Sequence, residues 1–137
     1  MLTIEVIDIN ECQYHDERGW ALFPAQCPPL EFMAEADPRT IHFVCNHPNM
    51  VRGNHYHSLA TEWLYFLNGT GLFYWQVEGD QTVRTMDIPG PGKVVKIPRG
   101  IKHAIRNTGT EAIYFVAIKS RVPDGMEDQN VPAHLAI

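Results

Sequence analysis

The feature that most constrains this chain is a run of short, strand-sized apolar stretches, each closed by residues that turn the backbone. Apolar and polar residues alternate in Leu2-Thr3-Ile4-Glu5-Val6, and similar stretches follow at residues 20–23, 40–45, 55–57, 62–67, 71–77, 81–87, 93–97, 103–106 and 112–119. Period-two alternation places one side of each stretch in a core and the other outside, which is a strand pattern. Asn68-Gly69, Glu78-Gly79-Asp80, Pro89-Gly90-Pro91-Gly92, Pro98-Arg99-Gly100 and Asn107-Thr108-Gly109 fall between the stretches as breakers. Asn-Gly between two apolar runs predicts a tight hairpin, because both residues tolerate positive φ. Helix signals are thin. The best window, residues 29–36, stops at Asp37-Pro38, where the residue before proline is pushed out of the helical region. The pattern predicts an all-β sandwich or small barrel.

At 137 residues with 45% hydrophobic content, the chain suits one domain with a core of its own. We read residues 1–137 as a single domain: N-terminal strands in 1–39, a core over about 40–120, and a polar tail at 121–137 that lies exposed or along a partner subunit. Eleven Lys and Arg against 16 Asp and Glu give a net charge of −5. Without a basic cluster to neutralise phosphates, nucleic acid and anionic membranes are excluded as partners. No apolar run approaches the roughly 20 residues needed to span a bilayer. The first ten residues lack a basic leader pattern, so the expected location is cytoplasmic. Cys12, Cys27 and Cys45 are an odd number in a reducing compartment and are expected as free thiols.

The chemistry concentrates in His55-Tyr56-His57 and Glu62. On a strand, side chains two apart share a face about 6.5–7 Å apart, so both imidazoles can converge on one ion. Glu62, after a short turn at 58–61, returns on the neighbouring strand and adds an oxygen. Two imidazoles and a carboxylate suit a divalent transition metal such as Zn, Mn, Fe or Ni, and His103, beyond Pro98-Arg99-Gly100, is the candidate fourth ligand. His42, Cys45 and His47 lead into a turn at Pro48 and are assigned no site; His15 and His134 are assigned none either.

His55-x-His57, four residues, Glu62, six residues, Gly69 is followed by Gly92, five residues, Pro98-x-Gly100, two residues, His103, three residues, Asn107. These segments resemble the two motifs of the cupin superfamily, departing at Asn49, where the first motif has a glycine. The resemblance implies a jelly-roll β-barrel (double-stranded β-helix) with a metal inside it, held by His55, His57, Glu62 and His103. Asp16-Glu17-Arg18-Gly19-Trp20 and Met50-Val51-Arg52-Gly53-Asn54-His55-Tyr56 are similar to segments of the dTDP-sugar 3,5-epimerases. Arg52 through His57 with Thr61-Glu62 looks closer to the metal-binding cupin domain of bifunctional capsular-polysaccharide reductases. In the epimerases the histidine matching His55 is a base and the arginine matching Arg52 holds nucleotide phosphates. This chain departs from them at His57, which implies a metal where they use none.

The expectation is therefore an isomerase or epimerase that enolises a keto-sugar, which can be nucleotide-linked, with one divalent metal as Lewis acid. Arg52 is expected to bind a phosphate or carboxylate. Tyr65 and Lys96 are the candidate proton-transfer groups, with Tyr56 and Tyr74 also weighed. Two other readings use the same ligands: an iron-dependent small-molecule dioxygenase, and a non-catalytic cupin that binds a sugar or small acid. Trp63, Tyr65 and Leu67 share one outward face that is too apolar to leave wet, which predicts a homodimer.

Overall fold

The alternating stretches become two five-stranded antiparallel sheets with a two-stranded hairpin beside them. The computed structural model describes residues 2–137. Its first sheet has the order β1 (Glu5–Asp8), β9 (Lys93–Ile97), β6 (Glu62–Phe66), β11 (Ile113–Ser120), β4 (Ala36–Asn46). The second runs β12 (Asn130–Pro132), β5 (Val51–His57), β10 (Lys102–Asn107), β7 (Gly71–Gln76), β8 (Arg84–Asp87). The hairpin joins β2 (Gln13–Asp16) and β3 (Gly19–Leu22). Among the described residues the helical segments are all short 3-10 turns, and no helix is long and apolar enough to cross a membrane.

One face of each sheet supplies the core. Leu64, Phe66, Val95, Ile97, Phe115 and Ala117 from the first sheet meet Phe73 and Ile105 from the second. Phe66 and Phe73 are fully buried, and truncating a side chain so placed costs about 3–5 kcal/mol. The two facing sheets form a single-domain jelly roll.

The other face of the first sheet carries Trp63 and Val94, and the N-terminal arm packs over them. Ile9, Cys27, Leu30 and Ala36 join them in a second apolar cluster. Turns at Asn10–Cys12 and Pro24–Gln26 bring Cys12 and Cys27 together as a disulfide, Cα atoms 5.4 Å apart, which corrects the expectation of free thiols; Cys45 alone is free. Part of the face expected to meet a second subunit is thus covered by this chain itself.

Three further expectations change. Asn68-Gly69 makes no hairpin: β6 pairs with β9 and β11, while β7 pairs with β10 and β8, so the turn carries the chain from one sheet to the other. Asn68 secures that corner, donating to the Ala112 carbonyl and accepting from the Tyr114 N–H, and Gly69 has φ 109° with no room for a Cβ beside Ile113. The stretch at 40–45 extends through Pro38 as an edge strand, where a missing N–H donor is tolerated and a register shift absorbs the extra residues. The polar tail folds back on its own barrel, with β12 pairing along β5 from Asn130 opposite His57 to Pro132 opposite His55.

Candidate metal centre

The alternation of β5 turns His55 and His57 to the same inner face, and β10 sets His103 directly opposite His55. A register shift at His103/Ala104 makes that alignment, with Gly53 and Asn54 on the facing strand at φ 95° and 56°. Gly53 is required there because a Cβ would lie 2.7 Å from the His103 carbonyl oxygen. Such a bulge re-aims side chains locally. Glu62 reaches in from the first sheet, so it faces the histidines across the barrel instead of returning on a strand paired with theirs.

Ligand atoms of His55, His57, Glu62 and His103 all lie within 4.8 Å of one another. Glu62 Oε1 is 3.4 Å from His103 Nε2 and 3.5 Å from His57 Nε2. The far side of each ring is already engaged. His103 Nδ1 lies 2.9 Å from the Ile101 carbonyl oxygen, and His57 Nδ1 lies 3.0 Å from Asp128 Oδ2. A carbonyl or carboxylate can only accept, so each Nδ1 carries a proton and donates it. The Nε2 atoms of both rings face Glu62 Oε1, and the buried His57 Nε2 has no hydrogen-bond partner. Three imidazoles with one carboxylate are a donor set suited to a divalent transition metal.

Burial, with His103 and His57 close by, pushes His55 down to about 4, so its imidazole is neutral at neutral pH. Burial alone would raise Glu62, but the close His103 and His57 rings hold it well below the usual carboxylate range. Burial works against a charged His57, yet Glu62 on one side and Asp128 on the other raise it.

Two further residues, His42 and Asp128, stand beside this cluster. His42, on β4, places Nε2 4.0 Å from Glu62 Oε2 while its Nδ1 faces the Thr40 carbonyl oxygen at 2.8 Å. Its alternation with Val44, which packs against the core, is the signal that it points inward. Asp128 accepts from the backbone N–H groups of Leu59 and Ala60 at 2.9 Å each and from Lys119 Nζ at 3.0 Å, besides facing His57. Nothing local in Glu127-Asp128-Gln129-Asn130 announces that role.

Tyr65 and Lys96 are not brought to the cluster. Tyr65 sits on the outer face, edge-on to Trp20 at 6.1 Å, with its hydroxyl accepting from Gln13 Nε2 at 3.3 Å. Lys96 pairs in register with Trp63 and Glu5 on that same outer side. The alternation that sends Glu62 and Leu64 inward necessarily sends Trp63 and Tyr65 out. Trp20, Ile41, Trp63, Tyr65, Val116 and Ile118 line an apolar hollow of about 280 Å³ there. Tyr56 faces away from its histidine neighbours, opposite Val131. Exposed Arg52 donates from Nε to the Cys45 carbonyl oxygen at 3.0 Å, near the adjacent ends of β4 and β5. Cys45 and His47 do not join His42 in a cluster, and Asn107 holds a turn through the carbonyls of Asn46 and Glu111.

An antiparallel jelly roll with three histidines and a glutamate gathered inside it is a cupin-fold protein whose site can hold a metal ion. The chain belongs to the polysaccharide biosynthesis C-terminal domain family, which matches it over residues 15–126. No curated protein matches it in sequence. Among solved structures, it is similar to the 3,4-ketoisomerase QdtA from Thermoanaerobacterium thermosaccharolyticum, at 14% identity and a TM-score of 0.68 over 94% of this chain and 88% of that one. It is similar also to CapF, the capsular polysaccharide assembling protein of Staphylococcus aureus, at 21% identity and a TM-score of 0.61, over 69% of this chain and 28% of CapF. RmlC from Streptococcus suis gives 16% identity and a TM-score of 0.64 over 89% and 66%. At these identities the likeness establishes the fold.

Proposed function

We propose that this protein is a metal-dependent isomerase or epimerase of a keto-sugar, with a nucleotide-linked sugar as the substrate class. The observation that carries the reading is the meeting of three imidazoles with Glu62 inside the barrel, two of them with Nδ1 already committed to an acceptor. Its neighbours in fold support the substrate class: QdtA is described in complex with TDP-4-keto-6-deoxyglucose and RmlC with dTDP-D-xylose. Its family, a polysaccharide biosynthesis C-terminal domain, supports the same reading.

A divalent ion held by His55, His57, Glu62 and His103 would supply a Lewis acid that acidifies the C–H beside a bound carbonyl. The chain must then supply a base that is not a ligand, and His42 fits. With its Nδ1 proton on the Thr40 carbonyl, its Nε2 lone pair faces the site, and its side chain is 48% exposed, so a sugar can reach it. Arg52 is assigned the anionic end of the substrate, where a guanidinium can grip a phosphate bidentately. We also place the protein in the cytoplasm as a homodimer. Thiol labelling in freshly lysed cells tests the first: free Cys12 and Cys27 support a reducing compartment, and an intact Cys12–Cys27 bridge overturns it.

The test is to measure bound metal in protein purified without tag nickel, then incubate it with TDP-4-keto-6-deoxyglucose in D2O. Deuterium appearing beside the ketone, lost in His42→Asn while metal content stays at the wild-type level, supports the reading. Bound iron with oxygen uptake would overturn it in favour of a dioxygenase. Tight sugar binding without exchange would overturn it in favour of a binding protein.

A further inference from the structure

The family match ends at residue 126, yet the most heavily engaged carboxylate near the metal centre is Asp128. Its two oxygens meet four donors: the N–H groups of Leu59 and Ala60 on Oδ1, and Lys119 Nζ and His57 Nδ1 on Oδ2. Leu59 and Ala60 lie in the turn between His57 and Glu62, so Asp128 ties down the connection between two ligands as well as one ligand's ring. Residues on either side of it make the attachment a strap. Ser58 and Gln129 exchange hydrogen bonds at 3.0 and 2.8 Å, β12 pairs along β5, and Asn54 takes the N–H of Ala133 on its carbonyl and that of Leu135 on Oδ1. Leu135 is buried at the far end. Exposed residues Pro123 to Met126 connect this strap to β11.

We propose that the C-terminal segment carrying β12 is a metal-coupled strap, in which Asp128 is a positioning residue that aims His57 Nε2 at the ion. The proposal rests on the reading of the four-residue cluster as a metal site. A carboxylate on the far nitrogen fixes the tautomer of a metal-binding imidazole, orients the ring and raises its basicity. A cation on Nε2 makes the Nδ1–H a stronger donor, so the same bond holds the strap more firmly when the site is loaded. Linkage requires the two effects to be equal: whatever the docked strap adds to ion affinity, the ion adds to strap docking.

Zn2+ is the probe, added to the stripped protein. Competition with a chromogenic chelator reads its affinity, and amide hydrogen exchange reads the strap. We expect Asp128→Ala to weaken Zn2+ binding about 10–100-fold. We expect exchange at Gln129 to Leu135 in the wild-type chain to slow on Zn2+ addition, a readout that needs no variant to fold. A tail with only a structural role would lower the melting temperature of Asp128→Ala and leave Zn2+ affinity unchanged. Wild-type affinity in Asp128→Ala, or strap exchange that ignores Zn2+, overturns the strap while the metal site stands. A wild-type chain that binds no Zn2+ overturns both.

Discussion

His57 is clamped between two carboxylates that arrive from different parts of the chain: Asp128 Oδ2 lies 3.0 Å from its Nδ1, and Glu62 Oε1 lies 3.5 Å from its Nε2. Ring, tail and facing sheet are thereby joined at one side chain. Changes there are expected at the proposed metal site and in the fold together.

Replacing His57 with alanine should therefore reduce retained metal to less than about a tenth of wild type, a loss at least as large as that from an outer-shell partner. It should also lower the melting temperature, since Asp128 loses one of its donors. Elemental analysis beside a thermal melt checks both. Undiminished metal content would remove His57 from the ligand set.

Gly53→Ala should destabilise the protein by about 1–3 kcal/mol, the usual cost of a strained backbone residue. The new Cβ meets the His103 carbonyl oxygen at 2.7 Å in a residue whose φ is 95°. Because the bulge also aligns His55 with His103, metal affinity should fall too. Urea unfolding and a Zn2+ titration separate the two effects.

Acid should undock the tail before it unfolds the barrel. Burial would raise the Asp128 carboxyl, but the Leu59 and Ala60 N–H groups, Lys119 and His57 hold it down to about 2. A carboxyl depressed in the folded state stabilises it fully above the unfolded value near 4. That contribution fades as pH falls from about 4 to about 2. Loss of amide protection at Leu59 and Ala60 across that range, in metal-free protein, is the expected observation.

The outer face gives a prediction about assembly. Phe43 is 78% exposed on the edge strand β4, with Ile41, Leu67 and Tyr114 also uncovered. If two copies meet there, Phe43→Asp should shift sedimentation from dimer to monomer without changing bound metal. A monomeric wild-type protein would end the homodimer proposal.

Most strands are legible because alternation is a local property, visible in Glu62, Leu64 and Phe66 against Trp63, Tyr65 and Leu67. The four converging side chains are legible too, since their spacing within β5, β6 and β10 is written in short segments. What escapes is pairing between distant segments. Asn68-Gly69 has the local chemistry of a hairpin, and only the partners of β6 and β7 reveal a corner between sheets. Cys12 and Cys27 look unpaired until two turns bring them together in the apolar cluster around Trp63. Tyr65 and Lys96 are chemically plausible proton carriers placed outside by the same alternation that sends Glu62 inside. Asp128 is a polar residue in a polar tail, and its importance comes wholly from donors more than sixty positions earlier and on β11.

The pairing of β12 with β5 also carries the folded unit past the end of the family match. A chain cut at residue 126, where the family match stops, would leave the outer edge of β5 as a row of bare N–H and C=O groups, an invitation to join another chain. Residues 130–132 act as a selvedge along β5, covering an edge that would otherwise fray into its neighbours. The boundary drawn by sequence similarity and the boundary of the folded unit are different places.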